Sequence, residues 1–201
     1  MANARLVIEN LDCGSVRDVN LTLAEGECVS LAGPSGSGKT RLLRAIADLD
    51  EHVGTVRLEN KDRLCFAPAQ WRHRVVMVPA ESHWWEDTVG VHLNGSPDVD
   101  LEALGFGPEV RGWSVRRLSS GERQRLALAR AAALEPAVLL LDEPTANLDA
   151  ETTEHVERWL AERRRRDGTA LLWVTHNAAQ AARVAQRGYR ITASTLQLVF
   201  P

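Results

Sequence analysis

Eight residues, Gly33-Pro34-Ser35-Gly36-Ser37-Gly38-Lys39-Thr40, carry the most specific chemistry in the chain. They fit G-x-x-x-x-G-K-[ST] with no mismatch. Glycines let backbone N–H groups turn inward around phosphate oxygens, and a helix N-terminus behind them adds partial positive charge. Lys39 should reach the β- and γ-phosphates, and the Thr40 hydroxyl should ligate Mg²⁺. The chain has 22 Arg but only two Lys, so a lysine here is not a by-product of composition. A second group follows the apolar run Ala137 to Leu141. Asp142 can hold Mg²⁺ directly or through water, facing Thr40, and Glu143 can orient and deprotonate an attacking water. Alone, such a pair is commonly a solvated strand end; beside the glycine loop it reads as chemistry. A third group, Leu118-Ser119-Ser120-Gly121-Glu122, fits a capping box whose serine, glycine and helix N-terminus make a second anion-binding surface. The glycine loop already occupies one face of the phosphates, so this surface suits phosphates presented by another subunit. Ordinary helix-start chemistry explains Ser119 and Glu122 equally well.

The elements that must position these groups are legible in part. Short β-favouring runs occur at 6–8, 19–23 and 28–31, and a helix is expected from Thr40 to Leu49. Strands follow at 54–58 and 74–78, the second ending at Pro79. The interval from Ala80 to Arg117 is the least regular, with short helices expected near 88–93 and 99–104. A capped helix runs from Ser119 to Leu134, a buried strand over 137–141, an amphipathic helix over 150–166, and a strand over 170–174 ending at Thr175-His176. A short Ala-rich helix and a β-like tail from Ile191 to Phe200 complete the chain. Strands alternating with helices give an α/β domain on a parallel sheet, with functional loops at the carboxyl ends of its strands.

Composition sets outer limits. A length of 201 residues, 44% hydrophobic and 25% charged, suits one compact unit of ordinary globular make-up. A formal net charge of −3 gives no electrostatic argument for nucleic acid. Cys13, Cys28 and Cys65 are widely spaced, without a metal or disulfide pattern, which suggests a reducing compartment. No run of 18 apolar residues is present, and the first residues lead into no signal-type apolar core. Arg163 to Arg166 reads as a solvated helix end, and the tryptophans at 71, 159 and 173 as core.

Loop, Leu118 to Glu122, Asp142-Glu143-Pro144, Asn147-Leu148-Asp149-Ala150 and Val174-Thr175-His176 come in the order and spacing of an ABC-transporter nucleotide-binding subunit, which the chain resembles from residue 5 to about 190. The resemblance implies a P-loop NTPase (RecA-type) core, an antiparallel β subdomain from the N-terminal strands, and a small helical subdomain near 80–130, all in one domain over 1–201. It implies ATP and Mg²⁺ as cofactors and head-to-tail dimers, with a second copy or a related subunit, that sandwich two ATPs. Carried over, Gly33 to Thr40 hold nucleotide in one chain, Ser119 and Gly121 contact the γ-phosphate in trans, Asp149 crosses the interface, and His176 contacts the γ-phosphate in cis. From the residues alone, His176 stays open between switch residue and ordinary polar group. Transmembrane permease subunits are the implied partners, with this chain peripheral at the cytoplasmic face of the membrane and no nucleic acid involved.

Three departures stand out against that family. The signature usually reads L-S-G-G-Q, where this chain has Ser120 and Glu122. The turn Asp12 to Val16 lacks the aromatic that usually stacks on adenine, so the base should be held weakly. The strand ending Val78-Pro79 runs into Ala80-Glu81 where the family usually has a Mg²⁺-touching glutamine. Glu81 is the nearest oxygen-bearing substitute, and Trp84-Trp85 are expected to be exposed anchors for a membrane partner. The rival readings are a soluble ABC-type ATPase acting on nucleic acid, a P-loop kinase or GTPase, and a low-turnover nucleotide-binding regulator.

Overall fold

The structure, a computed structural model, describes residues 4–93 and 101–201. It opens on an antiparallel hairpin of β1 (Ala4–Cys13) and β2 (Val16–Ala24), joined by the two-residue turn Gly14-Ser15. Both strands alternate: Leu6, Ile8 and Leu11 are buried with Val19, Leu21 and Leu23, while Asp12, Asp18 and Asn20 face water. Next come β3 (Cys28–Ala32), helix α1 (Lys39–Ile46), β4 (Val53–Leu58) and the two-residue β5 (Lys61–Asp62). The first sheet runs β2-β1-β4-β5, antiparallel throughout.

Helix α2 (Pro68–Arg74) leads into β6 (Val75–Val78), followed by the short α3 (Val89–His92) and the capped α4 (Ser120–Ala132). The rest alternates: β7 (Val138–Asp142), α5 (Ala150–Asp167), β8 (Ala170–Val174), α6 (Ala178–Val184), then the hairpin β9 (Arg187–Thr192) and β10 (Thr195–Phe200). The second sheet has the order β10-β9-β3-β8-β7-β6, parallel except for the antiparallel edge strand β10. This is a P-loop NTPase architecture with its separate antiparallel sheet.

Successive residues of the parallel strands face opposite sides, which divides the interior into two cores. Val138, Leu140, Leu172 and Val174 pack with α1 and the first sheet. Leu139, Leu141, Leu171 and Trp173 pack with α4, α5 and the segments around residues 101–118. In register, Leu31 lies beside Val174 and Val174 beside Asp142, so β3, β8 and β7 end together. The loops that follow them therefore emerge at one edge of the sheet.

Several elements differ from the sequence reading. Helix α1 stops at Ile46, three residues early, because Asp48 takes a left-handed φ of 58° and Leu49 N–H closes back on Arg44 O at 2.9 Å. The expected helix near 99–104 falls partly on residues 94–100, outside the described residues; its remainder is a single helical turn, Glu102–Leu104. The tail is a hairpin, turned by Ala193 and Ser194 at φ 46° and 70°. Arg163 is not solvated: it is buried, and its Nη2 donates to Ala132 O at 2.6 Å, capping the end of α4. Trp71, Trp159 and Trp173 are buried, as expected.

Candidate active site

The phosphate loop sits between β3 and α1. Gly36 and Gly38 have φ of 75° and 99°, and a methyl group on Gly38 would meet Ser15 Oγ and Val16 Cγ2 at 2.6 Å. Only glycine lets the hairpin tip rest on the loop. Lys39 is nearly buried, and its Nζ donates to Gly33 O at 2.9 Å and Pro34 O at 3.0 Å, which holds the ammonium inside the loop. Burial pulls its pKa down, while Glu143 and Asp142 oppose that shift.

Thr40 Oγ1 donates to Asp142 Oδ2 at 2.7 Å across 102 residues of sequence. The Asp142 carboxylate is buried at the tip of β7. Glu143 follows at φ 50°, held there because its N–H donates to Val174 O and its carbonyl accepts from Ala146 N–H, both at 3.2 Å. His176 Nε2 lies 3.1 Å from Glu143 Oε1. Burial pushes the Glu143 carboxyl up; His176 and Lys39 counter it, and Asp142 adds to it. These groups line a cleft of about 430 Å³, with Ser35 and Gly36 from the loop and Ser15, Arg41 and Ala80 around them. Ala80, and not the exposed Glu81, faces the cleft, so Glu81 does not replace the amide the sequence lacks.

Ser119, Gly121 and Asp149 are not in that cleft. Ser119 Oγ accepts from Glu122 N–H at 3.2 Å and Glu122 Oε2 accepts from Ser119 N–H at 2.8 Å, the reciprocal box read from sequence. A methyl group on Gly121 would meet Leu148 Cδ2 at 3.2 Å and Asn147 O at 3.3 Å. The helix start is thus packed on the residues just before Asp149, and all three groups belong to one exposed patch. Asp149 caps α5, accepting from Thr152 N–H and Thr152 Oγ1 at 2.8 Å, and these bonds hold its carboxyl below the usual range.

The ABC transporter family profile matches residues 16–146. The chain belongs to this family. It is 39% identical over 189 residues to the aliphatic sulfonates import ATP-binding protein SsuB 2 of Paracoccus denitrificans (strain Pd 1222), covering 91% of this chain and 70% of that protein. It is 37% identical over 186 residues to the Fe(3+) ions import ATP-binding protein FbpC 2 of Rhizobium meliloti (strain 1021), covering 86% of this chain. The chain spans 47% of that relative and about half the length of the sulfate/thiosulfate import relatives it also matches. Among solved structures, the ATP-binding cassette MJ0796, in a dimeric post-hydrolysis state with ADP and Pi, superposes with a TM-score of 0.79 at 26% identity, covering 98% of this chain and 99% of that one. A bacterial Atm1-family ABC exporter with ATP bound shares the fold, with a TM-score of 0.81 at 21% identity over 98% of this chain and 39% of that one.

Two sets of residues in this ABC cassette escaped the sequence reading. Arg41 walls the cleft beside Ser15 of the Asp12–Val16 turn, and no local pattern marks it. Behind the cleft lies a buried polar network. Thr175 Oγ1 donates to Gln180 Oε1 at 2.7 Å, and Gln180 Nε2 donates to Thr145 Oγ1 and Glu157 Oε1 at 2.8 Å. Arg183 then pairs with both Glu157 oxygens at 2.7 Å. Thr145 lies two residues after Glu143 and Thr175 immediately before His176, so the network ties together the two loops that carry those groups. Gln180 sits three residues into a helix capped by Asn177, whose Oδ1 accepts from Gln180 N–H at 3.0 Å. That capping position was the available signal.

Proposed function

We propose that this cassette binds and hydrolyses ATP and so powers transport of a substrate through separate transmembrane permease subunits, working at the cytoplasmic face of the membrane. The observation that carries the reading is the division of the site. Phosphate loop, Thr40–Asp142 pair and Glu143 share one cleft, whereas Ser119, Gly121 and Asp149 form a patch outside it. Two chains set head to tail, identical or related, complete both sites at once, each patch covering the partner's cleft.

Within one cleft, backbone N–H groups and Lys39 bind the phosphates, and Glu143 accepts the proton of the water that attacks the γ-phosphate. His176 Nε2 stands beside this carboxylate, 3.1 Å from Oε1. Thr40 and Asp142 are hard oxygen donors of the kind Mg²⁺ takes, 2.7 Å apart at the loop's end. Among the described residues no group of three or more His, Cys, Asp or Glu could hold a metal, so phosphate oxygens and water would complete the Mg²⁺ shell. When bound, Mg²⁺ neutralises charge on the β- and γ-oxygens. Relatives named for Fe(3+), sulfonates and lipoprotein release share this cassette; the membrane subunits therefore select the cargo. No helix among the described residues is long and apolar enough to cross a membrane.

Steady-state hydrolysis of Mg-ATP, followed across a range of chain concentrations, tests the reading. Turnover per chain should rise with concentration as composite sites form. A turnover independent of concentration would point to a monomeric hydrolase and end the sandwich reading.

A further inference from the structure

Ser15, at the hairpin tip, and Arg41 wall the same cleft as the phosphate loop, within reach of a nucleotide whose phosphates the loop holds. The tip has nothing there larger than serine. Gly14 turns at φ 69°, and a methyl group built on it would overlap the Arg41 guanidinium, falling nearer to Cζ than to Nη1 or Nε. A point closest to the central carbon lies over the face of a planar guanidinium, not at its edge. Arg41 therefore rests one face on Gly14. Among the described residues it makes no hydrogen bond and no ion pair; its charge acts on Asp50, which Arg44 binds at 2.8 Å, and with Gly14 it also borders the neighbouring groove that holds Asp50. Of the cleft-lining side chains, only Arg41 and His176 carry a planar cationic or aromatic group, and His176 is held at Glu143.

We propose that Arg41 is the platform on which the nucleobase stacks, its guanidinium backed by Gly14 on one face and covered by the base on the other. Guanidinium planes stack on aromatic faces and combine dispersion with cation–π attraction. Every base offers a π-face, so such a platform holds purines of either kind. This also gives Gly14 a purpose, since any side chain at that position would displace the guanidinium.

The proposal rests on the reading of the cleft as an ATP site, and the two are separable by calorimetric titration of the purified chain with ATP, ADP and sodium tripolyphosphate. Arg41→Ala should weaken ATP and ADP about tenfold and leave tripolyphosphate within about twofold of wild type. Arg41→Lys keeps the charge but loses the plane, so it should behave like Arg41→Ala, and Arg41→Tyr should restore binding. Unchanged ATP affinity in Arg41→Ala overturns the platform. So does a parallel loss of tripolyphosphate that Arg41→Lys repairs, because that is a charge contact to phosphate. A wild-type chain that binds neither ATP nor tripolyphosphate removes the site reading itself.

Discussion

Glu143 sits in left-handed backbone, at φ 50°, where a side chain other than glycine, Asn or Asp costs energy. The hydrogen bonds to Val174 O and from Ala146 N–H hold it there, so the strain serves to aim the carboxylate into the cleft. Glu143→Gln keeps size and backbone and removes the base; hydrolysis should fall roughly 10²–10⁴-fold with melting temperature unchanged. Near-normal turnover in that variant would remove Glu143 from the base role. Because, among the described residues, the cleft offers no aromatic ring but His176, ATP and GTP should compete within about tenfold, or 1.4 kcal/mol; a hundredfold preference for ATP in competition binding would require polar readout of the adenine edge. At this scale the sequence was legible where chemistry is local. The glycine loop and Asp142-Glu143 need consecutive residues. Arg41, in helix α1, was not legible, because its place depends on Gly14, which is 27 residues away in the turn between β1 and β2.

Between residues and the whole stand the elements, and here pattern length governed what could be read. Strands β7 and β8 are continuous apolar runs and were visible at once. Helix α2 was missed because its seven residues bury Trp71 alone, too little for a period to emerge. Arg163 to Arg166 looked uniformly solvated, but Arg163 reaches Ala132 O and Arg164 Nη1 donates to Gly26 O and Gln186 Oε1, both at 2.8 Å, partners far away in sequence. The network under α6 supplies a test of how these elements are joined. Burial acts to raise the Glu157 carboxyl pKa, but hydrogen bonds from Arg183 and Gln180 outweigh it and leave it lowered. A folded pKa below the unfolded one means stability that is complete above about pH 4.3 and lost as pH falls through the folded value. Glu157→Gln should cost about 1–3 kcal/mol at pH 7, a drop in melting temperature of roughly 2–12 °C. The gap to wild type should close as pH is lowered below about 4. Melting curves at pH 7 and pH 3.5 decide it; a gap that is the same at both would mean Glu157 contributes by packing, not charge.

At the scale of the molecule, the tryptophan pair that follows β6, read as the docking surface for the proposed membrane partner, divides into two roles. Trp84 is half-buried against the second core, edge-on to His92 with ring centroids 4.7 Å apart. Trp85 is 70% exposed, its ring centroid 4.5 Å from that of the same imidazole. The expectation that both are exposed is met by Trp85 alone; α4 brings Arg130 over both rings, at 4.7 and 5.0 Å, and the inner ring is half-buried. Arg130 Nη1 donates to His83 O at 2.9 Å, so the arginine also fixes the backbone that carries the pair. Beside Trp85 a groove of about 160 Å³ runs between Met77, Pro79, Ala131 and Leu134, apolar on most of its wall. A large exposed aromatic at the rim of an apolar groove is the form interface anchors take, and truncating one commonly costs about 2 kcal/mol or more in binding. Trp84→Ala should therefore act on the fold, lowering the melting temperature by roughly 4–8 °C for a loss of about 2 kcal/mol. Trp85→Ala should leave melting within about 2 °C of wild type and weaken co-purification with the permease subunits at least tenfold. Both should retain Mg-ATP binding, since neither ring reaches the cleft. Equal losses of melting temperature in the two variants, with partner binding intact in Trp85→Ala, would return the pair to the core and move the docking surface elsewhere on the cassette.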